Sequence, residues 1–67
     1  MTVFIATISL DPELDYDLTV APRLQWRATD KEEMEVQNMF DEEYTLIITA
    51  KTFKRANEMM LAFIETL

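Results

Sequence analysis

Residues Glu43–Lys51 read EYTLIITAK and residues Thr52–Leu67 read TFKRANEMMLAFIETL, and the change of period between them decides the fold. In the first stretch Tyr44, Leu46, Ile48 and Ala50 alternate with Thr45, Ile47, Thr49 and Lys51, the period of two that marks a strand. In the second, Phe53, Ala56, Met60, Phe63, Ile64 and Leu67 recur at helical spacing, with Asn57, Met59 and Leu61 at the margins. Lys54, Arg55, Glu58, Ala62, Glu65 and Thr66 cover the opposite side. Thr52 stands where an N-cap belongs. The apolar stripe is broad enough to lie across one face of a sheet, with Phe63 buried against it.

Working outward, Thr2–Leu10 also alternates. Phe4, Ala6, Ile8 and Leu10 fall on one face, and Val3, Ile5, Thr7 and Ser9 on the other. Asp11-Pro12 ends that strand. A second extended region runs from about Leu14 to Ala28 and breaks near Pro22, which has no N–H to give a ladder. Beyond the break Leu24, Trp26 and Ala28 alternate with Arg23, Gln25 and Arg27. This pattern predicts a core tryptophan with the arginines outside. Thr29 with Glu32, and Asp30 with Glu33, each fit a capping box, which predicts a short helix over Asp30–Met39. The methionines at 34, 39, 59 and 60 read as adaptable core fillers.

The fold class is therefore α+β, in the order β-β-(α)-β-α. A three- to four-stranded, mainly antiparallel sheet carries the C-terminal amphipathic helix on one face, and the short helix joins the second and last strands. Residues 1–67 make a single small domain. The face away from the C-terminal helix bears Val3, Ile5 and Ile47. A domain this small needs a staple, so self-association through that face or an adjoining edge is expected.

What the chain lacks excludes much chemistry. It has no cysteine, histidine or glycine. Disulfides, thiolate zinc sites, thiol nucleophiles and the usual general base near neutral pH are absent with them. So are P-loops and dinucleotide fingerprints, whose phosphate cradles need glycine. Ser9, the only serine, has no histidine to activate it. Paired carboxylates could serve a glycosidase, but so short a chain offers few walls for a sugar cleft. The expectation is a non-enzyme with no cofactor. An EF-hand register starting at Asp11 would put Tyr16 and Pro22 where glycine and glutamate belong, leaving only a looser divalent-cation site as an alternative. The start of the chain has no basic n-region, and Thr7 and Ser9 interrupt its apolar run. It does not read as a signal peptide, and the cytoplasm is the expected compartment.

The net charge is −7, and it is unevenly distributed. Residues 11–43 hold eleven acids and three bases, whereas residues 44–67 hold two acids and three bases. This balance opposes binding to a nucleic-acid backbone or to an anionic membrane, and favours a basic protein surface. Within the acidic segment, Asp11, Glu13, Asp15 and Asp17 alternate with Pro12, Leu14, Tyr16 and Leu18. In an extended strand all four acids would share one face, about 6.5–7 Å apart.

Two readings of that row stand side by side. A charged edge strand guards a sheet against aggregation and needs no partner. Alternatively the row joins Glu32, Glu33, Glu35, Asp41, Glu42 and Glu43 in one anionic surface that occupies a partner's basic groove, in the limit by imitating nucleic acid. No family motif is present. The compact, acidic character suits a small phage-type inhibitor of a host enzyme or defence complex. The competing function is a homo-oligomeric structural or accessory subunit that associates through apolar sheet surface.

Overall fold

The computed structural model describes every residue from Met1 to Leu67. The strands are β1 (Thr2–Ser9), β2 (Asp15–Val20), β3 (Glu33–Phe40) and β4 (Glu43–Ala50). A 3₁₀ segment, Pro22–Arg27, lies between β2 and β3, and helix α1 (Phe53–Glu65) closes the chain. The strands form one antiparallel sheet in the order β2-β1-β4-β3. No helix is long and apolar enough to cross a membrane.

The alternation in β1 and β4 sets the two faces. Register pairs Phe4 with Ile48, Ala6 with Leu46 and Ile8 with Tyr44, so these side chains share the face that α1 covers. Ala56 and Met60 of α1 are buried against Phe4, Ala6, Ile8, Leu46, Ile48 and Ala50, and Leu18 of β2 completes this cluster. Thr52 caps the helix as its sequence implies, its Oγ1 accepting from the Arg55 N–H at 3.1 Å. Phe63 is half-buried rather than enclosed. It packs edge-to-face on Tyr44 with ring centroids 5.7 Å apart, while Met60 takes the central place beneath the helix.

Two elements differ from the sequence reading. Residues 33–40 form a strand and not a helix. Their apolar residues follow period two, with Met34 and Val36 opposite Ile48 and Leu46 on the α1 side and Glu33 and Glu35 on the other. The Thr29 hydroxyl, read as a helix cap, instead donates to the Lys31 carbonyl at 2.9 Å and folds a local turn. A two-residue loop, Asp41-Glu42, then returns the chain into β4. With no glycine available, Asp41 adopts the left-handed conformation there, at φ 57°.

The second difference is at Pro22–Arg27, which turns as a 3₁₀ segment instead of continuing as a strand. Pro22 suits the first position of such a turn. Trp26 therefore points outward and is 81% exposed, not a core residue. The chain crosses from edge strand β2 to edge strand β3 over the face opposite α1, and Ala21, Leu24 and Ala28 settle on Val3, Ile5 and Ile47. Val3 is 0% exposed and Ile47 7%, so the self-association surface expected at these three residues is already covered from within the chain.

Gln25 fixes that cover. Its Oε1 accepts from the Val3 N–H at 3.0 Å, and its Nε2 donates to the Val3 carbonyl at 2.9 Å and to the Ala21 carbonyl at 2.7 Å. The side-chain amide takes both backbone groups of Val3 just where β2 has ended, one residue past the Phe4–Val20 pair. The Val3 carbonyl also accepts from the Ala21 N–H at 3.0 Å, so the Gln25 Oε1 replaces the one ladder acceptor that the Val3 N–H lacks.

Arg55 ties α1 to the segment before β3. Its Nε and Nη2 donate to Glu32 at 2.6 and 3.0 Å, and its Nη1 reaches Glu58 at 3.4 Å. The hydrogen bond from Arg55, more than its charge alone, holds the Glu32 carboxyl below the usual carboxylate range. A depressed carboxyl contributes stability above its unfolded pKa and loses it as pH falls through the folded value. The pair is solvent-exposed, so its effect on stability is small. Carbon-detected NMR titration should show Glu32 titrating below the ordinary range, and Arg55→Gln should bring it back up. An unchanged titration in Arg55→Gln would mean the pair does not persist in solution.

Candidate functional site

The alternating acids of 11–17 do not form one row. Strand β2 begins only at Asp15, so Asp11 and Glu13 lie in the connection from β1, and only Asp15 and Asp17 share a strand face. That face is the one opposite α1, since Asp15 pairs with Ser9 and Asp17 with Thr7.

Sheet geometry supplies what the row lacks. At one level Asp15, Ser9, Glu43 and Phe40 follow one another across β2, β1, β4 and β3; at the next level come Asp17, Thr7, Thr45 and Asn38. The 3₁₀ segment covers the other half of this face and leaves this half open. A depression of about 280 Å³ lies over these two levels, with Asp15, Asp17 and Glu43 among its walls. Glu43 also belongs to a second depression with Asp11, Asp41 and Glu42 at the sheet end. The two acidic loops are tied directly, because the Leu10 N–H donates to the Glu42 carbonyl at 2.8 Å. Asp11, Asp15, Asp17, Asp41, Glu42 and Glu43 thus form one continuous surface, with Glu13 in the same loop.

Glu32, Glu33 and Glu35 do not join it. They sit at the start of β3, with Glu33 about 23 Å from the Phe40 end at the rise of a strand. Glu35 is engaged by Arg27, and Glu32 by Arg55. The acidic segment of the sequence is therefore two regions in space, one open and one partly neutralised.

The charge split in space is sharper than the split along the chain. Helix α1 starts over Phe4, where Phe53 packs, and runs back to Tyr44, so Glu65 and the negative end of the helix dipole arrive at the acidic end. That end holds Asp11, Glu13, Asp15, Asp17, Asp41, Glu42, Glu43 and Glu65 and no basic residue. All six bases lie at the opposite end, in the 3₁₀ segment, before β3 and around the start of α1. The molecule, 35 Å in its longest extent, is electrically polarised from end to end.

The sequence reading missed Glu65, assigned to the far side of the helix, and the exposed Phe40 and Met39. Each is 67% exposed at the acidic end, and Leu14 and Tyr16 are exposed on the same end. A hairpin reading of residues 33–50 would have placed Phe40 beside Glu43. No group of three or more carboxylates is arranged to hold a metal ion. The surface can attract and orient a cationic group, and its exposed aromatic residues can anchor in an apolar pocket. No known protein family, curated protein or solved structure matches the chain.

Proposed function

We propose that this chain is a non-enzymatic protein-binding module. Its acidic end occupies a basic surface of a partner protein and inhibits what that surface does, in the manner of a small phage anti-host or anti-defence protein. Where that surface normally holds nucleic acid, the carboxylates stand in for phosphates. The observation that carries this reading is the Leu10–Glu42 hydrogen bond, which merges two acid runs far apart in sequence into one surface beside the exposed Phe40. A solvated edge strand does not require acids from two loops, two strands and a helix end to gather with no base among them.

The test is charge reversal. Partner is captured from native host extract, identified by mass spectrometry and purified, and association rates are measured at low and high salt. Asp15→Lys with Asp17→Lys and Glu43→Lys should slow association by about tenfold or more at low salt, with the difference shrinking as salt screens the field. Asp30→Lys with Glu58→Lys, at the other end, is the control and should change the rate little. Equal rates for the two sets would remove the acidic end as the interface.

A further inference from the structure

We infer that β3 is the dimer edge of this protein, pairing antiparallel with β3 of a second copy about a twofold axis at Val36. Strand β3 bonds only to β4, so its outer row of backbone groups is free, and all eight of its residues are exposed. Half of them are apolar. Of the devices that keep edges single, β3 has two glutamates and the extra residue at Gln37, but it is eight residues long and has no lysine or proline.

The register follows from the side chains. Gln37 is an extra residue against β4, so the side chains on the α1 face run Met34, Val36, Met39 and those on the opposite face run Glu33, Glu35, Asn38, Phe40. Directly opposed residues of an antiparallel pair share a face, which restricts the axis to passing through a residue. With the axis at Val36 and Gln37 omitted on both strands, Val36 meets Val36 of the second copy, Met34 meets Met39, Glu35 meets Asn38 and Glu33 meets Phe40. Every exposed apolar side chain on the α1 face of β3 gains an apolar partner, and within the strand no acid opposes an acid, while just beyond it Glu32 comes opposite Asp41. Moving the axis to Glu35 sets that residue against itself. Moving it to Asn38 carries Met34 past the partner strand, opposite Asp41, and leaves the start of β3 unpaired. The Val36 register pairs the whole strand without setting one of its own acids against another.

Charge polarisation supports the same arrangement. Antiparallel pairing lays the acidic end of each copy beside the basic end of the other, with Lys31 approaching the Asp41-Glu42 loop, and puts the two acidic ends at opposite extremities of an eight-stranded sheet. The contact is isologous and closed, as a twofold interface must be. It does not depend on any foreign partner.

Because the chain has no cysteine, single introduced thiols report the register. Purified wild-type chain should sediment as a dimer at micromolar concentration. Val36→Lys places two ammonium groups at the axis and should halve the mass while leaving the far-ultraviolet circular dichroism intact, since Val36 is exposed in the monomer. Val36→Cys should form an intermolecular disulfide under mild oxidation, since opposed Cα atoms fall within disulfide reach. Glu35→Cys, which would face Asn38, should not. A wild-type monomer at all concentrations would overturn the proposal and leave the edge to a strand from another protein. A dimer indifferent to Val36→Lys, or Glu35→Cys cross-linking as readily as Val36→Cys, would overturn it equally.

Discussion

Ile48→Ala lowers the stability of the domain by about 2–5 kcal/mol, enough to leave it largely unfolded at room temperature. Ile48 is 0% exposed at the centre of β4, between Phe4 on β1 and Met34 on β3, with Ala56 and Met60 of α1 in the same cluster. Truncation loses the transfer energy of three carbons and leaves a cavity that two central strands and a helix cannot all close. A core in a chain this short rarely supplies more than about 3–5 kcal/mol, so one such cavity removes most of it. Ile48→Val, which removes a single methyl-sized group, should cost only about 0.5–1.5 kcal/mol. Urea unfolding followed by circular dichroism separates the two. A loss below about 1 kcal/mol for Ile48→Ala would mean that α1 is not packed on this face.

Gln25→Glu carries the second large effect, about 1–3 kcal/mol, although it changes one atom type on a half-buried side chain. The wild-type Nε2 donates to the carbonyls of Val3 and Ala21. A carboxylate cannot donate, so both carbonyls lose that bond and face a negative oxygen, each keeping one backbone donor at 3.0 Å, the Ala21 N–H on Val3 and the Leu24 N–H on Ala21. The bond from the Val3 N–H survives, which confines the damage to the donor side. The introduced carboxyl therefore has a raised pKa, and as pH falls through that value it regains one O–H donor. The gap between variant and wild type narrows towards acid, opposite in sign to the behaviour of Glu32. Unfolding midpoints across pH check this. A variant equal to wild type at neutral pH would show that Gln25 does not hold the 3₁₀ segment to β1.

Much of this was legible in the chain. The faces of β1 and β4, the cap at Thr52 and the stripe of α1 all follow from periodicity, because each buries one side against a neighbour that its own pattern implies. Residues 33–40 were not legible for a local reason. Two capping boxes at Thr29 and Asp30 spoke for a helix, while the evidence for a strand was the pairing with β4, which lies outside any window around Glu33. The Asp41-Glu42 loop hid that hairpin, since it lacks the asparagine and glycine that usually announce one. Trp26 was misplaced for a related reason: Gln25, whose side chain fixes the 3₁₀ turn, reads in sequence as an outward strand residue. The acids were half legible. Their number and sign could be counted, but the division between an open end and a partner-bearing start of β3 depends on Arg27 and Arg55, far off in sequence.

The neighbouring central strands have a consequence for how the protein comes into being. Thr2 pairs with Ala50 and Ser9 with Glu43, so β1 finds its core neighbour only in a strand made well after it. Until residues 43–67 exist, β1 can pair only with β2, and a lone two-stranded ribbon is marginal in water. Closing so long a loop before the core rewards it also slows folding relative to a helical protein of equal length. During synthesis Phe4, Ile5 and Ile8 therefore stay uncovered until β4 has been made. The carboxylates immediately behind them, Asp11, Glu13, Asp15 and Asp17, add like charge that opposes association of such chains in the meantime.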